Sequence, residues 1–156
     1  MDVSRETEAQ FARYAELITK WNPAINLVAP GTLPDLRNRH IGDSAQLFAL
    51  AKPRAGSWLD LGSGGGLPGI VIAILGRNLP LQVTLVESDR RKSAFLTTVR
   101  RELQLDNLTV KSTRIEQLAR GQFDYVSARA LAPLSELLSM IAPQLASDGE
   151  AWLLKG

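Results

Sequence analysis

Cysteine is missing altogether from the 156 residues, which removes disulfides, thiolate nucleophiles and thiolate metal sites together. Histidine occurs once, as His40, so no imidazole cluster is available to a metal and none is expected. Long apolar runs are also lacking. The longest, residues 70–75, falls far short of the roughly 20 residues a membrane-spanning helix needs. Residues 1–6 carry Asp2, Arg5 and Glu6 and no apolar stretch, unlike a secretory signal. There is no G-x-S-x-G elbow, which argues against a serine hydrolase built from Ser44, His40 and Asp43. Capping or packing is the simpler role for those three. Nor does one sign of charge dominate: 18 Lys+Arg against 16 Asp+Glu leave +2, a weak pointer to nucleic acid. The clusters Arg37/Arg39/His40, Arg90/Arg91/Lys92 and Arg100/Arg101 read most simply as solvated helix faces. These absences leave a cytoplasmic protein with no membrane segment, expected as one domain over 1–156 and large enough to bury a core.

What is present is glycine, concentrated in one place. Trp58-Leu59-Asp60-Leu61 runs apolar into an acid, then opens into Gly62-Ser63-Gly64-Gly65-Gly66-Leu67-Pro68-Gly69. A glycine-dense turn between a strand and a helix reaches positive φ and lets a ligand touch the main chain. The helix start beyond it offers unpaired N–H groups. Two registers fit. Gly62, Gly64 and Gly66 form G-x-G-x-G behind an acid, a pattern of S-adenosylmethionine (SAM) sites. Gly64, Gly66 and Gly69 form G-x-G-x-x-G, the dinucleotide fingerprint, which keeps an NAD-dependent oxidoreductase as an alternative. Asp60 suits a cofactor with a cationic amino group and would repel a pyrophosphate, so the turn favours SAM modestly.

Around this turn the pattern is helical first and alternating afterwards. Apolar residues at Phe11, Tyr14, Ile18 and Trp21 predict a helix over 7–21 that ends at Asn22-Pro23. A second helix is expected from a Thr32 cap to about residue 50. These make an N-terminal helical part, 1–52, ahead of a core over 57–156. In the core, strands are expected at 57–61, 82–87, 108–112, 123–128 and 151–154. Helices are expected between them, the longest at 89–103 and 133–145. Alternation of this kind predicts an α/β fold with a mostly parallel, doubly wound sheet, whose ligands sit at the carboxyl ends of the strands.

Strand ends therefore supply the candidate side chains. Glu87 closes the second strand, where an acid accepts hydrogen bonds from ribose hydroxyls; Asp89 better suits a helix N-terminus. Ile115 and Glu116 follow the third strand, with packing on a base and simple burial equally open. Arg129 follows the fourth among small residues, where a guanidinium needs a ligand or an acid as partner.

Taken in order, Trp21-Asn22-x-x-x-Asn26-Leu27, Arg39-His40-Ile41-x-Asp43-Ser44, Asp60-Leu61-Gly62-x-Gly64-x-Gly66-Leu67-Pro68-Gly69, Glu87-Ser88, Phe95-Leu96, Arg129-Ala130 and Leu154-Lys155-Gly156 resemble the RsmG (GidB) family of bacterial ribosomal RNA small-subunit methyltransferases. The resemblance implies a class I SAM-dependent methyltransferase, Rossmann-like with N-terminal helices. Its implied activity is methylation of N7 of a guanine in the 530 loop of 16S rRNA. It places cofactor contacts on Gly62, Leu67, Ile115, Glu116 and Arg129, beside Asp60, Gly64, Gly66 and Glu87. His40, Arg114, Arg129 and Lys155 become the candidates that face RNA. No acid–base residue is assigned, since N7 has no proton to remove and catalysis rests on orientation. The expected partner is 16S rRNA or the small subunit, bound by a monomer, with a noncatalytic RNA-binding module as the other alternative. By the same resemblance the family continues with an antiparallel pair of strands, so a C-terminally truncated sheet with an open edge is expected here.

Overall fold

The computed structural model describes residues 3–129 and 132–154. Five strands form one sheet: β1 (Gly56–Leu61), β2 (Leu81–Glu87), β3 (Leu108–Ser112), β4 (Phe123–Arg129) and β5 (Leu145–Leu154). They lie in the order β3-β2-β1-β4-β5, and every neighbouring pair is parallel. The chain winds outward from β1 to β3, then returns to the other side of β1 with β4. The carboxyl ends of β1 and β4 thus flank the topological switch point, where a crevice must open.

Alternation within the strands sorts the two faces. Trp58 and Asp60 of β1, Leu85 and Glu87 of β2, and Tyr125, Ser127 and Arg129 of β4 share one side by their period of two. Trp58 and Leu85 pack there with α1 (Arg5–Ile25), α3 (Gly69–Leu75) and α4 (Arg90–Glu102) in the larger core. Leu59, Leu61, Val86, Val126 and Ala128 face the other way, onto Leu137 and Ile141 of α5 (Leu134–Ile141).

Three expected boundaries move. The first helix does not stop at Asn22 but runs to Ile25, with Pro23 inside it. Proline so near a helix end forfeits one backbone bond, and Thr19, which loses its partner, is exposed. The buried Asn22 holds the end instead: its backbone carbonyl accepts from Asn26 N (2.8 Å), and its side chain binds the chain beyond. The second expected helix is three unlike pieces, a 3-10 turn (Pro30–Asp35), a wide π turn (Arg37–Ile41) and α2 (Gly42–Ala51). Thr32 does not cap it; its hydroxyl donates to Ala29 O (2.7 Å) within the 3-10 turn. The last helix gives way at Ala142–Gln144, which contains Pro143, and β5 starts at Leu145 rather than 151. A shift in register between Phe123 and Tyr125 absorbs the extra length.

Candidate functional site

The glycine turn is fastened to its surroundings from several sides. Gly62, Gly64 and Gly66 take φ of 66°, 55° and 93°, the left-handed region that glycine enters freely. Gly69 does not. It is the first residue of α3, and a Cβ there would lie 2.7 Å from Asp60 Oδ2. The two registers are therefore physically distinct: the earlier one supplies the bends, and Gly69 supplies room beside an acid. Gly64 N donates to Glu87 Oε1 (2.7 Å), Gly69 N to Asp60 Oδ2 (3.2 Å), and Arg129 Nε to Leu67 O (2.7 Å). From the far side the Tyr14 hydroxyl donates to Gly65 O (2.5 Å).

Two clefts open at the strand ends, and Gly62 lines both. The first, about 340 Å³, lies between Glu87 and the segment Thr113 to Glu116. The second, about 220 Å³, runs from Gly64, Gly65 and Leu67 to Leu27, Val28, Ala29, His40 and Arg129. A Cβ on Gly64 would meet nothing within 4 Å, so open space stands over the turn.

The structure distributes the sequence candidates as follows. Gly62, Glu87, Ile115 and Glu116 line the first cleft together, and Arg114 joins them there on an exposed 3-10 cap. Ile115 is half-buried against the smaller core and also lines the first cleft. Gly62, Gly64, Leu67, His40 and Arg129 line the second cleft. Asp60 and Gly66 line neither. Asp60 is 1% exposed, with Oδ1 accepting from Ser127 Oγ (2.8 Å) and Oδ2 from Gly69 N. In place of the expected outward contact with a cationic group, it knits β1, β4 and the start of α3. Burial pushes its carboxyl up to about 6, against hydrogen bonds and the Arg129 charge that pull it down. Gly66 is a packing position, since a Cβ there would press on Ile70 and sit 2.9 Å from the Tyr14 hydroxyl. Glu87 accepts a second bond from Asp89 N (2.9 Å), which leaves part of its acceptor capacity for the cleft. Asp89 caps α4 by accepting from Arg91 N and Lys92 N. Lys155 lies outside the described residues.

His40 bonds Thr32 Oγ1 through Nε2 (2.9 Å), and its carbonyl accepts from Ser44 Oγ (3.0 Å). Desolvation, then the charges of Arg129 and Arg39, hold its imidazole below the ordinary 6.5, so it is neutral at pH 7. Tyr14 and Asn22, read from the sequence only as helix and helix-end residues, bond the backbone of the turn and of the segment 27–29 that lines the second cleft. One signal for them existed: a phenylalanine would fill a buried helix position as well as Tyr14, so its hydroxyl asks for a partner.

A parallel sheet in this order, a glycine turn after its central strand and an acid ending the next define a Rossmann-like domain of the class I SAM-dependent methyltransferase fold. Solved structures agree on the fold. Coclaurine N-methyltransferase bound to N-methylheliamine and SAH superimposes with a TM-score of 0.69 at 18% identity, over 98% of this chain and 53% of that one. A SAM-dependent methyltransferase from Thiobacillus denitrificans, in complex with S-adenosyl-L-homocysteine, gives 0.63 at 15%, over 98% and 56%. The chain thus spans about half the length of these structures. The family follows from sequence. The model of rRNA small subunit methyltransferase G (GidB) matches residues 7–156. Ribosomal RNA small subunit methyltransferase G of Paracoccus denitrificans is 53% identical over 156 residues, all of this chain and 79% of that protein. Its counterpart in Cereibacter sphaeroides is 49% identical, over 100% and 76%. The chain belongs to the rRNA small subunit methyltransferase G family.

Proposed function

We propose that this chain methylates N7 of a guanine in the 530 loop of 16S rRNA with SAM as donor, acting as a cytoplasmic, monomeric single domain. The observation that carries this reading is the pair of clefts meeting at Gly62, on a chain of an rRNA methyltransferase family. The residues fit the cofactor: the space over Gly64 is open, Glu87 retains acceptor capacity beside the first cleft, and Ile115 offers an apolar flank. Gly62, Glu87, Ile115 and Glu116 would hold the nucleoside part, and Gly64, Leu67 and Arg129 the remainder. When bound, SAM supplies a methyl group already activated on a sulfonium.

The chain's own contribution is then orientation and exclusion of water. Guanine N7 is an acceptor without a proton, so the site needs no general base. His40, neutral and tied to Thr32, adds no repelling charge to the second cleft, while the Arg129 guanidinium is held by Leu67 O at its rim. Phosphates of the RNA fall to exposed cations such as Arg39, Arg91 and Arg114, and single-stranded loops present the base unstacked. The test is incubation of the protein with labelled SAM and small subunits from a strain lacking the enzyme. Labelled 7-methylguanine in 16S rRNA is the expected product; its absence overturns the reading.

A further inference from the structure

The first helix reaches the second cleft from behind at two places. Tyr14 is 0% exposed inside the larger core, where a hydroxyl is a liability unless it is bonded. Its one bond goes to Gly65 O, the middle of the turn, between the left-handed Gly64 and Gly66. Two turns further along α1, Asn22 is 4% exposed. Its Oδ1 accepts from Leu27 N (2.7 Å) and Val28 N (2.9 Å), and its Nδ2 donates to Val28 O (3.1 Å). Three bonds from one buried amide fix the backbone of the segment that lines the second cleft beside the glycines. Floor and wall also touch, because a Cβ on Gly65 would lie 3.2 Å from Leu27 Cβ.

We infer that Tyr14 and Asn22 are positioning residues for methyl transfer: α1 sets the shape of the second cleft, Tyr14 through its floor and Asn22 through its wall. Neither side chain lines the cleft, so each acts through the backbone it holds. The inference rests on the SAM-dependent reading above. It gives the N-terminal helical part a role in building the site as well as in meeting RNA.

Tyr14→Phe removes the hydroxyl without changing shape, and Asn22→Ala removes the three bonds. Ile74→Val, a trim of the same core away from both clefts, serves as the stability control. SAM affinity is read by calorimetry, the KM for RNA and kcat by methyl transfer, and local opening by amide hydrogen exchange. Tyr14→Phe should weaken SAM binding about tenfold, the worth of one buried hydrogen bond, with faster exchange confined to residues 63–67. Asn22→Ala should lower kcat/KM for RNA by about tenfold or more, with faster exchange at 27–29. Ile74→Val should lower Tm and leave both affinities unchanged. Wild-type binding constants in the two variants, or losses that merely track Tm as in the control, overturn the inference. A wild-type protein that binds no SAM overturns the functional reading instead, and the exchange pattern still decides whether Tyr14 and Asn22 shape the cleft.

Discussion

Asp60 is pulled both ways. Ser127, the Gly69 amide and the Arg129 charge favour its carboxylate, and complete burial favours the acid; burial prevails, so the group titrates near 6 rather than 3.8. A carboxyl whose folded pKa lies above its unfolded value holds more protons folded than unfolded between the two. Stability from this group is therefore full below about pH 4 and falls as pH rises through about 6, by at most about 3 kcal/mol. Asp60→Asn keeps the shape and removes the charge. Its Tm relative to wild type should rise steadily between pH 4 and pH 7; parallel curves across that range would contradict the assignment. The sequence marks Asp60 as a candidate cofactor contact, whereas the structure buries it, because the turn's chemistry is local while the closure of β4 and α3 over the acid is tertiary. Gly62, Gly64 and Gly66 were legible for the opposite reason: a backbone that must enter positive φ writes glycine directly into the sequence.

Among the elements, the turn and helix entry over residues 62–69 leave least freedom. Gly66 combines a φ of 93° with two near neighbours, Ile70 and the Tyr14 hydroxyl. Gly66→Ala adds both backbone strain and overpacking and should lower stability by about 2 kcal/mol or more in urea unfolding. A loss below about 0.5 kcal/mol, the scale of an ordinary surface substitution, would show that the turn relaxes. Strand identities and the long amphipathic α4 were readable from periodicity alone, since packing only reinforced the local pattern there. Pro23 was misleading because its penalty is a single bond near a helix end, and Asn22 anchors that end through contacts five and six residues ahead. β5 begins early because Leu145 pairs with Phe123 ahead of the register shift, a contact that no alternation in residues 145–150 announces.

For the whole molecule, the charge balance matters more than its small net value. The cations proposed to meet RNA, Arg39, Arg91 and Arg114, are exposed, whereas the clefts proposed for SAM are lined mostly by backbone and by groups at least partly buried, such as Glu87, Leu67 and Ile115. RNA affinity should therefore fall by orders of magnitude between about 50 and 200 mM salt, while SAM affinity shifts only a few-fold. Equal salt slopes for the two ligands would remove the RNA-facing role from these residues. The same interior offers a way to watch itself. Trp58 is fully buried, stacks on Tyr125 with ring centroids 5.0 Å apart, and donates its indole N–H to Ser127 Oγ (2.8 Å). That hydroxyl is the one that donates to Asp60 Oδ1. Indole, hydroxyl and carboxyl form a relay in which the proton on Asp60 alters the field at the chromophore. Trp58 is thus a built-in optical gauge of the acid beneath the turn, placed where no attached dye would fit.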